Sequence, residues 1–344
     1  MARKKKTVDL DRENDIAPGL VAKTKKRLVV ATGRSHPDLA HQVAQQLGTE
    51  LAPTEHRTFA SGEIYTRFEV SIRGCDVFVI QSFGPPVNEW LMELLIMLDA
   101  LKRASAKRIT VVAPYFPYSR QDKKGRGREP ISARLVADLL KTAGADRVMS
   151  VDLHAAQIQG FFDGPVDHLF AKPVLLEHFQ ANLSPEDRET LTVVSPDMGR
   201  VRVADTWSDS LNAPLAIIHK RRDPKVANQV TVREIVGEVD GRTCLLVDDM
   251  IDTGGTIAKA AQALKEAGAR KVIVAATHAI FSDPARERLQ HPAIDQVVVT
   301  DTVPIPEEKR FPSLIVLPIA PLLARAVREV FEDGSVTSMF GGEA

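Results

Sequence analysis

Residues 244–269 read CLLVDDMIDTGGTIAKAAQALKEAGA. Four apolar residues run into two acids, Asp248 and Asp249. A short loop over 250–255 follows, then apolar residues at helical spacing. A buried strand reads as a continuous apolar run, and an amphipathic helix shows a 3.6-residue period. The stretch therefore reads as strand, tight loop and helix. Gly254 and Gly255 let backbone N–H groups approach an anion, and the helix N-terminus adds partial positive charge. Thr253 and Thr256 add hydroxyl donors. No Lys follows the glycines, so the loop is not the triphosphate-cradling P-loop and suits a single phosphate. Carboxylates at a strand end accept hydrogen bonds from neighbouring hydroxyls, such as those of a sugar. Together these residues point to a phosphorylated sugar. The bland alternative is a turn capped by Asp252 or Thr253, but capping needs neither two acids nor two threonines.

The same alternation extends outward. Apolar, β-branched runs at 28–32, 77–81, 109–113, 148–151, 191–194, 215–219, 244–247, 271–277 and 296–299 read as strands. Helical patterns at 38–47, 88–103, 132–143, 257–267 and 321–331 lie among them. Such alternation predicts βαβ units and mostly parallel sheets, with ligands outside the carboxyl ends of the strands. Residues 77–81, a helix, then AKRITVVAPYFPYS echo 245–249, a helix, then ARKVIVAATHAIFS. This echo predicts a duplicated α/β domain, with a boundary near Lys172 and Pro173 after GFFDGPVDH.

The chain has 344 residues, about right for two domains. Hydrophobic residues at 44% and charged residues at 26% exclude disorder as the main state. No apolar run approaches the ~18 residues needed to span a bilayer, so no membrane partner is expected. Cys75 and Cys244 are too few for a disulfide framework. The formal charge is zero, but residues 1–27 hold nine Lys/Arg against four Asp/Glu, leaving −5 on the remainder. That balance, with 5% aromatics, weighs against nucleic-acid binding. Residues 1–27 read as a disordered, solubilising basic tail. MARKKK leads into DLDREND rather than an apolar stretch, so no signal peptide is expected and the expected location is the cytoplasm.

The residues at several strand ends carry chemistry. His154 follows the strand at 148–151 and Asp197 the strand at 191–194. A His from one domain facing a carboxylate from the other suits a shared Mg²⁺, although Mg²⁺ prefers oxygen donors. Lys220 and Arg222 follow the strand at 215–219 and precede Asp223 and Pro224, which reads as a cationic loop. Arg120 and Gln121 open RQDKKGRGRE, with five cations in ten residues.

The run Asp-Asp, two residues, Asp-Thr-x-Gly-Thr resembles the loop with which phosphoribosyltransferases hold phosphoribosyl diphosphate. Joined to DLHAAQIQGFFDGPVD at 152–167, RGCDVFVIQS at 73–82, NEWLMELLIMLDALKRASA at 88–106, PYFPYSRQDKK at 114–124, SPD at 195–197 and IIHKRR at 217–222, it resembles the ribose-phosphate diphosphokinase family. The likeness covers about 28–340. It implies two similar phosphoribosyltransferase-type α/β domains, each a mostly parallel sheet flanked by helices, at 28–172 and 173–344. It also implies transfer of the β,γ-diphosphoryl group of ATP to the 1-hydroxyl of ribose 5-phosphate, releasing AMP, for nucleotide biosynthesis. Members depend on Mg²⁺ and assemble from dimers into hexamers.

The resemblance assigns catalysis to Lys220. It assigns ATP contacts to Ser61, Gly62, Glu63, Arg120 and Gln121, with the Phe59–Glu63 loop meeting the adenine of ATP from a neighbouring subunit. Arg222, Asp248, Asp252, Thr253, Gly254, Gly255 and Thr256 fall to ribose 5-phosphate. His154 and Asp197 fall to the metal, with Asp152 a third candidate. Ser61 stands where the family has Asn or Asp, Arg200 where it has Gly, and Gly254 where it has Ala or Cys. The alternative reading is a non-catalytic regulatory homologue, which is expected to lack catalytic residues that this chain retains.

Overall fold

The computed structural model describes residues 26–222 and 230–341, without the side chains of residues 220–233. The first half runs β1 (Leu28–Thr32), α1 (Pro37–Leu47), a hairpin of β2 (Thr54–Thr58) and β3 (Ile64–Phe68), β4 (Asp76–Ile80), α2 (Val87–Arg103), β5 (Arg108–Ala113), α3 (Ser132–Ala143), β6 (Arg147–Val151) and β7 (Val166–Leu169). Two helices, α4 (Lys172–Asn182) and α5 (Pro185–Glu189), join it to the second half. That half runs β8 (Leu191–Ser195), α6 (Val201–Leu211), a hairpin of β9 (Leu215–Arg222) and β10 (Val230–Val236), β11 (Thr243–Ile251), α7 (Gly255–Glu266), β12 (Lys271–Ala279), α8 (Ala285–Leu289), β13 (Gln296–Thr300), β14 (Leu314–Leu317) and α9 (Ala320–Phe331).

The halves repeat element for element: strand, helix, hairpin, then four strands with two helices between the first three. Sheet orders agree, β1-β4-β5-β6-β7 in the first and β8-β11-β12-β13-β14 within the second. The hairpins differ. β2–β3 is a separate ribbon, whereas β9 joins the second sheet beside β8, with β10 antiparallel at its edge. All nine expected strands and five expected helices are present. The missed hairpin β2–β3 reads TEHRT and IYTRF, polar and half-buried to exposed, without the apolar run that marks a core strand.

Burial follows from the patterns. Asp76–Ile80 is buried throughout, as a central parallel strand must be. The side of the first sheet bearing Val77, Val79 and Val111 packs with Leu94, Met97 and Leu98 of α2 and Val136 and Leu140 of α3. Its other side, with Val30, Phe78 and Val112, joins a core that also holds Leu39 of α1, Phe179 of α4, Leu245 of β11 and Leu323 of α9. One apolar core thus runs between the halves. The expected boundary near 172 falls at the start of α4, inside that shared packing. Lys26, counted with the tail in the sequence reading, pairs with Asp333. No described helix is long and apolar enough to cross a membrane.

Asp187 ties the amino ends of the second sheet together. It accepts from Thr243 Oγ1 at 2.8 Å, Arg270 Nη2 at 2.7 Å and Lys271 Nζ at 3.0 Å. Burial alone would raise its carboxyl; the bonds from Lys271, Thr243 and Ser184 and the Lys271 charge hold it down, at about 2. A depressed folded value stabilises above the unfolded value of 3.8 and is lost as pH falls through about 2. Asp187→Ala is expected to cost about 2–3 kcal/mol at pH 7, since it strips hydrogen bonds from two cations. Urea midpoints at pH 7 and pH 3 check this: the gap between wild type and variant narrows in acid.

Candidate active site

The carboxyl ends of the two sheets face each other. After β1, His36 Nε2 lies 2.8 Å from Asp301 O, which follows β13. After β4, Ser82 Oγ donates to Thr302 O at 2.5 Å. After β5, Arg120 Nη2 meets Asp252 Oδ2 at 2.7 Å. After β6, His154 Nδ1 lies 2.7 Å from Asp249 Oδ2 in β11. Ligand sites of parallel sheets lie at this end, and these contacts bring candidate residues of both halves together there.

Asp248 and Asp249 sit in β11 itself, which runs on to Ile251, so the loop is only Asp252–Gly254. Arg200 crosses them, 3.4 Å from Asp248 Oδ1 and 2.5 Å from Asp249 Oδ2. Burial and the neighbouring Asp249 charge push the Asp248 carboxyl well up. Burial would raise Asp249 too, but the His154 hydrogen bond and the Arg200 charge hold it below the usual range. His154 Nδ1 lies 2.7 Å from both Asp249 Oδ2 and Arg200 Nη2, so the imidazole, the carboxylate and the guanidinium form one polar cluster. Asp152, at φ 39°, has its carboxylate taken up by Thr277 Oγ1 at 2.6 Å and Ala171 N at 3.1 Å. Burial pushes that carboxyl up to about 6. Asp152 therefore links the sheets, and its carboxylate is engaged there.

Gly254 is the N-cap of α7 and has φ 70°, so the left-handed conformation falls on this glycine. Gly255, the first helical residue, has ordinary φ but little room. A Cβ there would lie 3.1 Å from Arg288 Nη1. Arg288, on α8, also donates to Thr253 O at 3.0 Å. A cation thus braces the loop from outside the motif. FSDPARERLQ gives no local sign of it, because the contact arises from α8 packing on Gly254. Thr256 follows in the first turn of α7.

Asp197 caps its own turn, its Oδ1 accepting from Gly199 N at 2.9 Å. Among the described residues no three His, Cys, Asp or Glu side chains gather to hold a metal ion. Ser61, Gly62 and Glu63 form the β2–β3 tip. Gly62 has φ 90°, Ser61 Oγ donates to Glu63 Oε2 at 2.8 Å, and Phe59 beside them is half exposed. Gln121 Oε1 accepts from Ser132 Oγ at 2.6 Å, fixing it to the start of α3. Lys220 and Arg222 were expected on a loop. Their backbone instead continues β9, Lys220 opposite Val232 and Arg222 opposite Val230. β10 was not legible as a strand, which is why the loop seemed to begin at 220. Their side chains and residues 223–229 lie outside the described residues.

Duplication would give the first half an equivalent loop, but that copy is poorer in donors. β4 leads through Gln81–Pro86 into α2, and Pro85 and Pro86 have no N–H to offer an anion. Glu93, fully buried, stands behind it, accepting from Arg34 N at 2.7 Å and Arg34 Nε at 2.6 Å. Gln81 bonds the same Glu93 at 3.2 Å. A Cβ on Gly33 would fall 2.5 Å from both Gln81 and Glu93. Glu93 thus serves the β1–α1 turn, and the prolines leave the first half's β4–α2 loop with fewer N–H donors than Asp252–Gly255 of the second half.

Comparison with known proteins agrees with this architecture. Residues 28–144 match the model of the N-terminal domain of ribose phosphate pyrophosphokinase, and 224–341 that of the phosphoribosyl synthetase-associated domain. A ribose-phosphate pyrophosphokinase of Streptomyces avermitilis is 61% identical over 94% of this chain and 98% of its own. One from Mycobacterium tuberculosis is 60% identical over 93% and 98%. The crystal structure of phosphoribosylpyrophosphate synthetase from Mycobacterium smegmatis superposes with a TM-score of 0.85 at 59% identity, covering 90% of this chain and all of that one. A likeness this close over nearly the whole length, on the same duplicated fold, means that the chain belongs to the ribose-phosphate pyrophosphokinase family.

Proposed function

We propose that the cleft between the facing sheet ends moves the β,γ-diphosphoryl group of ATP onto the 1-hydroxyl of ribose 5-phosphate, giving 5-phosphoribosyl 1-diphosphate and AMP. The contact between Arg120 and Asp252 carries this reading. It joins the basic loop assigned to ATP with the loop assigned to the sugar phosphate, so the two substrates are received side by side.

The backbone N–H groups at the start of α7, with Thr253 and Thr256, hold the 5-phosphate, and Asp248 and Asp249 accept from the ribose hydroxyls. Arg120 and Gln121 receive ATP. The Ser61–Glu63 tip reaches the adenine of a neighbouring subunit in a homo-oligomer, a hexamer by resemblance. The 1-hydroxyl oxygen attacks the β-phosphorus as the bond to the AMP oxygen breaks. Lys220 and Arg222 neutralise the charge that builds on the transferred group and the leaving oxygen. The domains divide at 172–173, and the site draws on both. Every residue assigned to catalysis is present in the sequence, which disfavours a non-catalytic regulator.

The residues suit Mg²⁺ held in its usual way, by one or two protein groups together with substrate phosphates. Asp249 and Arg200 both hold the His154 ring at Nδ1, and a metal-binding His is oriented through the nitrogen that does not bind. His154 and Asp197 would hold the ion, which when bound offsets diphosphoryl charge. Chelation by EDTA is expected to abolish AMP formation from ATP and ribose 5-phosphate, and added Mg²⁺ to restore it. AMP formation that persists in EDTA excludes a metal requirement.

A further inference from the structure

Arg200 ends the short turn Met198–Arg200 between β8 and α6. Its side chain is 15% exposed and lies 2.5 Å from Asp249 Oδ2 and 3.4 Å from Asp248 Oδ1. Its Nη1 donates to His154 O at 3.2 Å, across to the other half. These carboxylates are the ones assigned above to the ribose hydroxyls. The sugar therefore meets acceptors that already carry a donor.

Two observations make this contact exchangeable. His154 Nδ1 lies 2.7 Å from both Asp249 Oδ2 and Arg200 Nη2, so once Arg200 turns away that nitrogen is left to Asp249 alone and can donate to it, and the carboxylate keeps a partner. Arg200 stands at the junction of a three-residue turn and a helix, and its long side chain has several rotatable bonds through which the guanidinium can change partners. A guanidinium withdrawn from water needs another anion when it leaves the acids. The phosphates of the incoming substrates bring that anion to the same cleft.

We propose that Arg200 is an exchangeable occupant of the acid pair, covering Asp248 and Asp249 in the sugar-free site and turning to the diphosphoryl group once ribose hydroxyls take those oxygens. The inference rests on the acid pair being the sugar site. Its consequence is a split between binding and turnover. Sugar binding has to displace Arg200, so apparent affinity is reduced by the fraction of sites it covers. Turnover gains a positive charge at the transferred group.

Arg200→Met keeps the apolar stem and removes the charge. Titration calorimetry with ribose 5-phosphate is expected to show binding about 3–10-fold tighter than wild type. Steady-state kcat is expected to fall about tenfold or more. Arg200→Lys, shorter and singly bonding, is expected to bind the sugar phosphate more tightly than wild type and to recover part of kcat. It carries the test if circular dichroism shows the Met variant unfolded. Unchanged or weaker ribose 5-phosphate binding, or unchanged kcat, overturns the proposal. Asp248→Asn, titrated in parallel, separates the two levels. Lost affinity there with unchanged affinity on replacing Arg200 removes only the Arg200 role. Unchanged affinity in Asp248→Asn removes the acid pair from the sugar site, and the Arg200 role with it.

Discussion

Lys220→Ala is expected to lower kcat by about 10²–10³-fold while the fold and ribose 5-phosphate binding persist. The strand β9 holds the backbone of Lys220 opposite Val232 of β10, and the ladder shifts between Val232 and Glu234. Such a bulge bends and twists a ribbon. An edge hairpin of this kind can carry a cation over a cleft without adding to the core. Charge grows on the diphosphoryl oxygens and the leaving AMP oxygen, and one preorganised charge contact contributes about 2.7–4 kcal/mol. Alanine leaves the ladder intact because backbone groups make it. Circular dichroism and steady-state rates decide the matter, and a variant keeping more than half its turnover removes Lys220 from the mechanism.

Gly255→Val is expected to weaken ribose 5-phosphate binding about 10–100-fold and to leave ATP binding nearly unchanged. The left-handed backbone belongs to Gly254, so the argument at Gly255 is one of space. The new Cβ sits 3.1 Å from Arg288 Nη1, and valine's methyl groups press further. Arg288 must then shift, and its bond to Thr253 O shifts with it. The loop N–H groups lose their aim at the phosphate, and a hydrogen bond to a charged group contributes about 1.5–3 kcal/mol. In the proposed reading ATP leans on Arg120, Gln121 and the β2–β3 tip, of which only Arg120 touches this loop, at Asp252 rather than at Gly255. Titration calorimetry with each ligand separates the effects. Equal weakening of both ligands, or normal ribose 5-phosphate affinity, counts against the loop as the sugar-phosphate site.

The strand-loop-helix at 244–269 was legible because its apolar run, acid pair and glycine pair each have a local cause. The duplication was legible for the same reason in 77–119 and 245–282, although the echo did not reveal that both halves carry a hairpin. β2 and β3 form a separate ribbon without a continuous apolar run, and β3 rests on α2. Three features of the site depend on contacts distant in sequence. Arg288 reaches Thr253 across 35 residues, Asp152 reaches Thr277 across 125, and Glu93 in α2 reaches Arg34 after β1 across 59. The Arg200 departure was visible as a residue, but its place across Asp248 and Asp249 required the fold. The prolines at 85 and 86 were also visible, yet their meaning depended on aligning β4–α2 with β11–α7.

Phosphorus NMR of the protein with ATP, ribose 5-phosphate and Mg²⁺ tests the central claim most directly, since it identifies both products at once. The expected spectrum shows AMP growing in equal amount with a ribose 5-phosphate whose C1 carries a diphosphate, without ADP as an intermediate. ADP accompanied by a ribose bisphosphate would mean that a single phosphoryl group moves, and would contradict diphosphoryl transfer in the cleft between the two sheets.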